Sequence, residues 1–465
     1  MPLPSNAKNS DFLGTAPIGR LLRDLSLPAM ISATVNLLYN LVDRLYIGNG
    51  IGKEAIAGLV LTGPYMIILG AFGMMAGVGS GSVISILLGQ KRPDEAEKVL
   101  GQFIALCLLF VLTIQGLALT FLDETLHLFG GNELTIPYAR DYLRIILWGN
   151  VFMHLSFGLS NPLRAEGNSR KAMTVIIIGA VSNLILDPIF IFALHLGISG
   201  AAYATILSMM ISSSYALSHF ITGKGVLRLR LRNIRIRPKL LVKVLAIGLC
   251  PCIIQLSGSA INIVLNNCCN KYAASVAQAS DAIAAWGNTG SLMMILLMPI
   301  FGLTQGMQPI VGFNTGAKNY RRVANALGLT LKCAFIACTA IWLVALPSAR
   351  YLVMIFNRDP ELVAVSTRVV RFAFALFPTI GVNIVIGNYF QAIGRASVSI
   401  LISLLRQVIC LIPLLLLFSH FLGLDGIWWS LPCADITAFV PSALCAAYEL
   451  RRLRALTVHP DAATA

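Results

Sequence analysis

Charged residues are scarce in this chain of 465 residues. They form 12% of the sequence, against about 25% in soluble domains, whereas hydrophobic residues form 57%. The length alone would suggest about three soluble domains, but such a composition cannot provide their surfaces. Since apolar runs recur along the whole sequence, we predict one membrane-embedded body and no separate soluble domain.

Signatures of soluble catalysis are missing as well. The sequence contains no GxxxxGK(S/T) phosphate loop, no HExxH and no GxSxG, which argues against direct use of ATP and against a hydrolase. The cysteine pairs Cys250/Cys252 and Cys268/Cys269 have no ligand partners at zinc spacing, so packing is the favoured role. We therefore expect no enzyme activity and no cofactor, with an ion gradient as the energy source.

Long apolar stretches dominate what the sequence does contain. A helix needs about 20 mostly apolar residues to cross the hydrocarbon core of a bilayer, and twelve stretches qualify. We predict an all-α membrane protein with twelve transmembrane helices in two pseudo-symmetric six-helix lobes. The predicted spans are 25–47, 57–88, 99–122, 138–160, 172–194, 198–220, 240–267, 282–312, 323–347, 363–389, 396–419 and 424–448.

The basic residues fall in alternate loops between these spans. Loops on one side carry most of the bases, among them Lys91, Arg92, Lys318 and Arg321, and the positive-inside rule places that side in the cytoplasm. We expect a multi-pass protein of the cytoplasmic (inner) membrane with both termini in the cytoplasm. Because the N-terminal stretch has no apolar core, we expect no cleavable secretory signal.

This topology divides the chain into five segments. We predict a cytoplasmic N-terminal segment (1–24), a first lobe (25–220), a basic cytoplasmic linker (221–239), a second lobe (240–448) and a cytoplasmic tail (449–465). The linker alternates basic and apolar residues, so it could bind a lipid surface; a plain connection held in the cytoplasm by its charge is favoured. The net charge of +15 comes from such loops and does not indicate a nucleic-acid partner.

An internal repeat links the two halves. GQKRPDEAEKVLG from Gly89 aligns with GAKNYRRVANALG from Gly316 at an offset of 227 residues (316 − 89 = 227), and the same offset pairs Asn161 with Asn388. Because each half has an even number of spans, both halves enter the membrane from the same side. Parallel repeats of this kind enclose a central cavity, and rocking the lobes would expose it to each side in turn.

Nearly all acids lie in loops or at the ends of predicted helices, and three fall well inside the spans: Asp43, Asp187 and Asp435. An ionisable group there costs about 2.5 to 3.5 kcal/mol on insertion scales, so it is a functional candidate by default. Asp43 shares one helical stripe with the polar residues Asn36, Tyr39 and Asn40. Asp435 has no polar neighbour on its stripe, and helix packing explains it equally well.

The first lobe offers a candidate ion site. Asn183 and Asp187 lie one turn apart in span five, and Thr205 in span six could add an oxygen. Desolvation disfavours the charged form of a carboxylate, so with Asp43 these groups could exchange a proton, a metal ion or an organic cation. Coupling arises if occupied and empty forms prefer different lobe arrangements. The alternative is that Asn183, Asp187 and Thr205 only hold helices together.

Further polar residues are assigned to the substrate cavity. Those of span seven form either a substrate wall or polar contacts between helices, and for His154 a bond to a neighbouring helix is the simpler role. The predicted cavity set is Asn36, Tyr39, Asn40, His154, Gln255, Ser259, Asn262, Gln305 and Asn383. Pro28 and Pro251, near the starts of spans one and seven, are either hinges or helix starts.

Several motifs, taken together, resemble the multidrug and toxic compound extrusion (MATE) transporters over essentially the whole chain. They are LPAMISATVNLLYNLVDRLYIG in span one, LRAEGNSRKAM and SNLILDPIFIF in spans four to five, GISGAAYAT in span six, and QGMQPIVGFNTGAKNYRRV in spans eight to nine. The segment YNLVDRLYIGNGIG is most similar to the bacterial MepA-like branch.

The resemblance implies export of cationic, amphipathic compounds in exchange for protons or sodium ions. The family's first-lobe cation site carries over onto Asp43, Asn183, Asp187 and Thr205, which would also be the metal ligands if Na⁺ is the coupling ion. Carboxylates that some members use in spans seven and ten have no counterpart here, which concentrates coupling on the first lobe. We expect a monomer whose partners are small cationic amphipathic substrates and the lipid bilayer.

Other classes of membrane protein fit less well. A major facilitator transporter would carry a GxxxDRxGRR-like element where GQKRPDEAEKVLG stands. A lipid-linked or other small-molecule exporter of the same superfamily stays the alternative, but a lipid-linked sugar flippase would have a basic cavity, which the spans do not predict. A membrane-embedded lipid enzyme would need clustered acids or histidines, and the acids here are dispersed.

Overall fold

The computed structural model describes residues 10–51 and 53–458. Positions 1–9 of the predicted N-terminal segment and positions 459–465 of the predicted tail lie outside the described residues, as does position 52. Throughout the described part the regular structure is helical and contains no strands. The predicted all-α fold class is confirmed.

Twelve long helical segments follow the twelve predicted spans, and we number them in chain order. They are α1 Ile18–Gly50, α2 Gly63–Gly89, α3 Pro93–Thr120, α4 Ile136–Ala165, α5 Ser169–Ala193, α6 Gly197–Ile221, α7 Pro238–Tyr272, α8 Val276–Gly316, α9 Tyr320–Ala345, α10 Pro360–Phe374 with Phe377–Ala392, α11 Ala396–Leu422 and α12 Leu424–Val458. Short helices lie at Phe12–Thr15, Lys53–Leu61, Leu122–Leu128, Leu231–Asn233 and Ala349–Met354. We call α1–α6 the first lobe and α7–α12 the second lobe.

Most of these helices suit a bilayer by length and composition. Within residues 10–51 and 53–458, ten helices are long and apolar enough to cross a membrane, and the bent pair of α10 makes an eleventh. Helix α4 has 30 residues, but Asn150, His154 and Asn161 lower its hydropathy. Polar residues in a span are tolerated where they face a protein interior, so α4 completes the predicted set of twelve.

The tenth helix differs from its prediction as a single span over 363–389. It breaks between Phe374 and Phe377 with a bend of 53°, and Pro378 stands in the first turn of its second part. Proline has no amide hydrogen to donate and its ring clashes with the preceding turn, so the helix restarts there instead of continuing.

Pro28 and Pro251 lie well inside α1 and α7. The idea that these prolines begin their helices is therefore wrong, because α1 begins at Ile18 and α7 at Pro238. An interior proline removes one hydrogen bond of the helix. Their role as hinges stays a prediction.

The internal repeat is visible in the backbone. Lys91 and Lys318, equivalent in the repeat, both adopt the left-handed conformation, with φ of 58° and 56°. Gly167 and Gly394, also equivalent, have φ of 89° and 82°. Equivalent loops of the two lobes thus make the same turns, as expected for two copies of one folding unit.

The lobes meet at the end of the molecule that carries the basic loops, which we call the basic-loop end. Helix α1 packs against α8, and α2 packs against α7 and α8. A Cβ on Gly89 would lie 1.9 Å from the carbonyl oxygen of Phe313, and one on Gly316 would lie 2.0 Å from that of Ile86. Only glycine permits so close an approach of two backbones. Each contact repeats the other across the pseudo-two-fold axis.

The linker between the lobes is held against the first lobe by buried carboxylates. Glu166 Oε2 accepts the backbone N–H groups of Val226 and Leu227 at 3.2 and 3.4 Å, and Glu97 Oε1 accepts that of Arg228 at 3.2 Å. The linker therefore follows the surface of the first lobe at the basic-loop end.

Candidate functional site

Helices α1, α5 and α6 bring the four predicted ion-site residues together inside the first lobe. Asn183 Nδ2 donates to Asp187 Oδ1 at 3.2 Å and lies 3.5 Å from Thr205 Oγ1. The carboxyl groups of Asp43 and Asp187 lie next to each other, close enough for each to act electrostatically on the other. All four residues are buried, with Asn183 and Asp187 each 1% exposed. The charged groups therefore face the protein and not the lipid.

The backbone of α5 changes directly after Asp187. Pro188 follows, and residues Ile189–Ala193 form a π-helical turn. Proline cannot donate the hydrogen bond that would continue the α-helix, and π-helical turns are frequent at functional sites. This local break sets the Asp187 carboxyl group beside α1.

Two tyrosines complete the surroundings of the carboxyl pair. The side chain of Tyr142 on α4 is buried and lies close to Thr205 and Asp43. Tyr39 lies near both Asp43 and Asp187, although the sequence assigned it to the substrate cavity. Tyr142 was missed because no spacing within α4 relates it to α1 or α6; only the folded packing does.

The donor atoms of this cluster suit a small hard cation or a proton. Carboxylate, amide and hydroxyl oxygens are the ligands that hard cations prefer. Two neighbouring carboxyl groups in a buried site favour a proton on one of them, and a cation could take the place of that proton. No group of three or more histidine, cysteine, aspartate or glutamate side chains suited to a metal ion occurs within the described part of the chain.

A second feature is a cavity of about 540 Å³ between the two lobes. Its walls come from α1, α2, α4, α5, α7, α8, α10 and α11. Five predicted residues line it: Asn36, His154, Pro251, Gln255 and Gln305. Asn36 and Asp43 stand two turns apart on α1, about 10 Å along the axis, so one helix connects the cavity to the carboxyl pair.

Other predicted cavity residues lie elsewhere. Asn40 is exposed and donates to the carbonyl oxygen of Asn36 at 2.6 Å, and Asn262 is exposed and accepts from Trp286 Nε1 at 2.7 Å. Ser259 is half-buried, and Asn383 is buried in α10. These residues are not part of the lining of this cavity, so their assignment to the substrate site stays a prediction.

His154 lines the cavity but has its hydrogen-bond partner on its own helix. Its Nε2 lies 3.0 Å from Asn150 Nδ2, one turn away in α4. Gly73 of α2 faces the ring, and a Cβ there would come within 2.6 Å of Nδ1. The expected bond to a neighbouring helix is therefore replaced by a bond within α4.

Two arginines that the sequence analysis did not single out place positive charge inside the protein. Arg164 lies beyond residue 160, the predicted end of span four, but it stands in the last turn of α4 and lines the cavity. Arg406 of α11 donates from Nε to Asp435 Oδ1 of α12 at 2.6 Å, so Asp435 does have a polar partner. The partner escaped notice because it comes from another helix and not from the stripe of Asp435.

Comparisons with known proteins agree with this architecture. The sequence pattern of the MatE family matches residues 28–189 and 251–417, two segments that begin at the repeat-related prolines. Multidrug export protein MepA of Staphylococcus haemolyticus is 26% identical over 441 residues, which cover 95% of this chain and 95% of that protein. A protein of Shewanella oneidensis named FAD transporter is 27% identical over 440 residues, 92% of this chain and 94% of its own length.

Solved structures share the fold. One is described as the outward-facing conformation of a multidrug resistance MATE family transporter of the MOP superfamily. It matches with a TM-score of 0.88 at 24% identity, over 95% of this chain and 98% of that one. The twelve-helix arrangement in two lobes is thus common to both molecules.

Proposed function

The chain belongs to the MatE family and is a membrane transporter rather than an enzyme, and on this basis we propose that it is a secondary multidrug exporter driven by H⁺ or Na⁺. The observation that carries the proposal is the placement of the buried carboxyl groups of Asp43 and Asp187 next to each other. Two neighbouring buried carboxylates repel each other, so the pair favours a proton on one of them or a cation between them. Binding and release of that ion is the step that a gradient drives.

The ion site and the substrate site are joined by α1. Loading the carboxyl pair changes the charge at one end of this helix, and Asn36 of the same helix lines the cavity. If the loaded form favours one lobe arrangement and the empty form the other, ion and substrate move in opposite directions. Pro28, between the cavity and the basic-loop end, is the residue at which we propose that α1 bends.

The arrangement of the lobes supports an assignment of the present state. They are in backbone contact at the basic-loop end through Gly89 and Gly316. With that end in the cytoplasm, as the positive-inside rule indicates, this contact closes the cytoplasmic exit. We propose that the structure is an outward-facing state of the inner-membrane protein, with both termini in the cytoplasm and the monomer as the transporting unit.

The substrates are proposed to be amphipathic compounds with a cationic group. Apolar side chains from both lobes, among them Met153, Phe157, Met298 and Phe301, line the cavity beside amides and hydroxyls. A volume of about 540 Å³ lies within the usual range of roughly 300 to 1,000 Å³ for small-molecule sites. A second candidate is an acidic compound, as the name FAD transporter of the Shewanella relative suggests; Arg164 at the cavity favours it.

The test is transport by the purified full chain in proteoliposomes. We expect the cationic dye ethidium to move against its concentration when either a pH gradient or a sodium gradient is imposed, one at a time. Collapse of the active gradient by an ionophore should stop the movement, and protein-free liposomes serve as the control. Absence of movement under both gradients would contradict ion-driven export.

A further inference from the structure

The described lining of the central cavity contains one side chain with a permanent charge, and that charge is positive. It is the guanidinium of Arg164 at the end of α4, so it lies at the basic-loop end of the cavity. No aspartate or glutamate occurs in the described lining. Any charge-based recognition in the cavity therefore begins with this arginine.

Arg164 is incompletely satisfied by the protein around it. Its Nη1 lies 3.4 Å from both Ser160 Oγ and Asn161 Oδ1, two uncharged oxygens of its own helix. Its Nε is buried and has no hydrogen-bond partner among the described residues. A buried donor without a partner is costly, and more so on a charged group, which marks the guanidinium as prepared for an acceptor that is supplied from outside.

The equivalent place in the second lobe shows that the fold does not need a cation here. Gln391 is the repeat partner of Arg164 (391 − 164 = 227). Its Oε1 accepts from Gln308 Nε2 at 3.0 Å, and its Nε2 donates to the carbonyl oxygen of Ile247 at 3.3 Å. Both ends of the Gln391 amide are thus hydrogen-bonded, whereas the Nε of Arg164 has no partner among the described residues.

We propose that Arg164 binds an acidic group, a carboxylate or a phosphate, of the exported compound. The planar guanidinium presents paired N–H groups that match the two oxygens of such a group. Since the remaining walls are apolar or neutral, the compounds preferred among the amphipathic substrates are those with an acidic group at one end, including zwitterions that also carry the cationic group proposed above. This inference rests on the proposed function only in taking the cavity as the substrate site.

The test uses two dyes that differ in one group. Rhodamine 110 has a free carboxylate, and rhodamine 123 is its methyl ester. Binding to the purified full chain is followed by fluorescence polarisation. We expect wild type to bind rhodamine 110 more tightly, Arg164→Gln to weaken rhodamine 110 by about 10- to 100-fold, and rhodamine 123 to change by less than about twofold. Arg170→Gln, an exposed position outside the cavity, is the matched control.

Two results would overturn the proposal. One is a wild type with no preference between the dyes; the other is an equal loss of both in Arg164→Gln, which would mean that the arginine only holds helices in place. If Arg164→Gln does not fold, Arg164→Lys decides, because it keeps the charge and loses the paired N–H geometry: a reduced preference supports the site and an unchanged one refutes it. A dye preference without gradient-driven transport would refute the proposed function and leave the acidic-group site standing.

Discussion

The two lobes descend from one repeat but treat buried charge differently. In the first lobe the carboxyl groups of Asp43 and Asp187 lie next to each other. The side chain of Asn183 donates to Asp187 and reaches Thr205, and both of these neighbours, Asn183 and Thr205, are neutral. In the second lobe Asp435 is paired with Arg406 at 2.6 Å across α11 and α12. Asn266 stands at the position equivalent to Asp43 (266 − 43 = 223), so this second lobe lacks the carboxyl pair.

The difference determines which lobe can respond to an ion. Asp435 is 1% exposed, and its positive partner is attached to the chain. Separating the two would leave a buried charge without compensation, which is strongly unfavourable. The carboxyl pair of the first lobe instead takes its positive partner from solution. One fold can therefore hold an exchangeable ion in one lobe and a permanent counter-ion, the guanidinium of Arg406, in the other.

Replacing Asp43 by asparagine is expected to have the largest effect on transport. Asp43→Asn keeps the shape of the side chain but removes one of the two carboxyl groups. The two groups then no longer repel each other, and the site has less need of a proton or cation. We expect gradient-driven ethidium efflux from proteoliposomes to fall by about 100-fold, to the level of protein-free liposomes, with normal membrane insertion.

The matched control for this variant is Asn266→Ala in the second lobe. At the equivalent position no carboxyl group is lost, and we expect efflux to stay within about twofold of wild type. An Asp43→Asn protein that transports normally would contradict the assignment of ion binding to the first lobe.

Much of the fold and part of the site follow from the sequence. Length and hydropathy fix the spans because a bilayer of constant thickness requires a minimum apolar run. The four ion-site residues were predicted from polar groups at helical spacing inside those runs and from the family resemblance, and the structure brings Asp43, Asn183, Asp187 and Thr205 together. Their role in coupling stays a prediction.

What the sequence could not provide depends on how helices pack. Tyr142 reaches the ion site from a fourth helix, and Arg406 meets Asp435 across two helices. Neither contact leaves a periodic signal within one span. Arg164 lies beyond the predicted end of span four at residue 160, although α4 continues to Ala165. Polar residues near the end of this helix lower its hydropathy, so hydropathy does not locate its last turn. Tilt and interhelical distance decide these cases.

Replacing Asp187 by asparagine is expected to have an intermediate effect. Asp187→Asn keeps the size of the side chain and an oxygen that can accept from Asn183, but it removes the ionisable carboxyl group. The remaining carboxyl group, Asp43, stands on α1, the helix that also lines the cavity through Asn36, and it can still take a proton or a cation. We therefore expect driven efflux to fall by about tenfold, roughly 1.4 kcal/mol, and its dependence on pH or sodium to shift. An unchanged dependence on both ions would show that Asp187 only connects helices, which is the alternative that the sequence left open.

The smallest effect on coupling is expected in the second lobe. Replacing both members of the pair, Arg406→Met with Asp435→Leu, removes two opposite charges and leaves an apolar contact, which is often neutral for stability. We expect the pH and sodium dependence of efflux to stay within about twofold of wild type. A loss of ion dependence in this double variant would place part of the coupling in the second lobe.

The single variant Arg406→Met makes the opposite prediction for the same lobe. It leaves the buried Asp435 carboxylate without its guanidinium, at a cost of about 3 to 5 kcal/mol, so thermal unfolding in detergent should occur at a lower temperature than for the double variant. The freed carboxylate can recover that energy only by taking a proton or cation from solution, as Asp43 and Asp187 do. Stability of Arg406→Met should therefore rise with added sodium or falling pH, while the double variant stays indifferent to both. If neither ion stabilises the single variant, a carboxylate in this fold does not become exchangeable by losing its partner, and the contrast between the lobes must rest on the first lobe's own geometry.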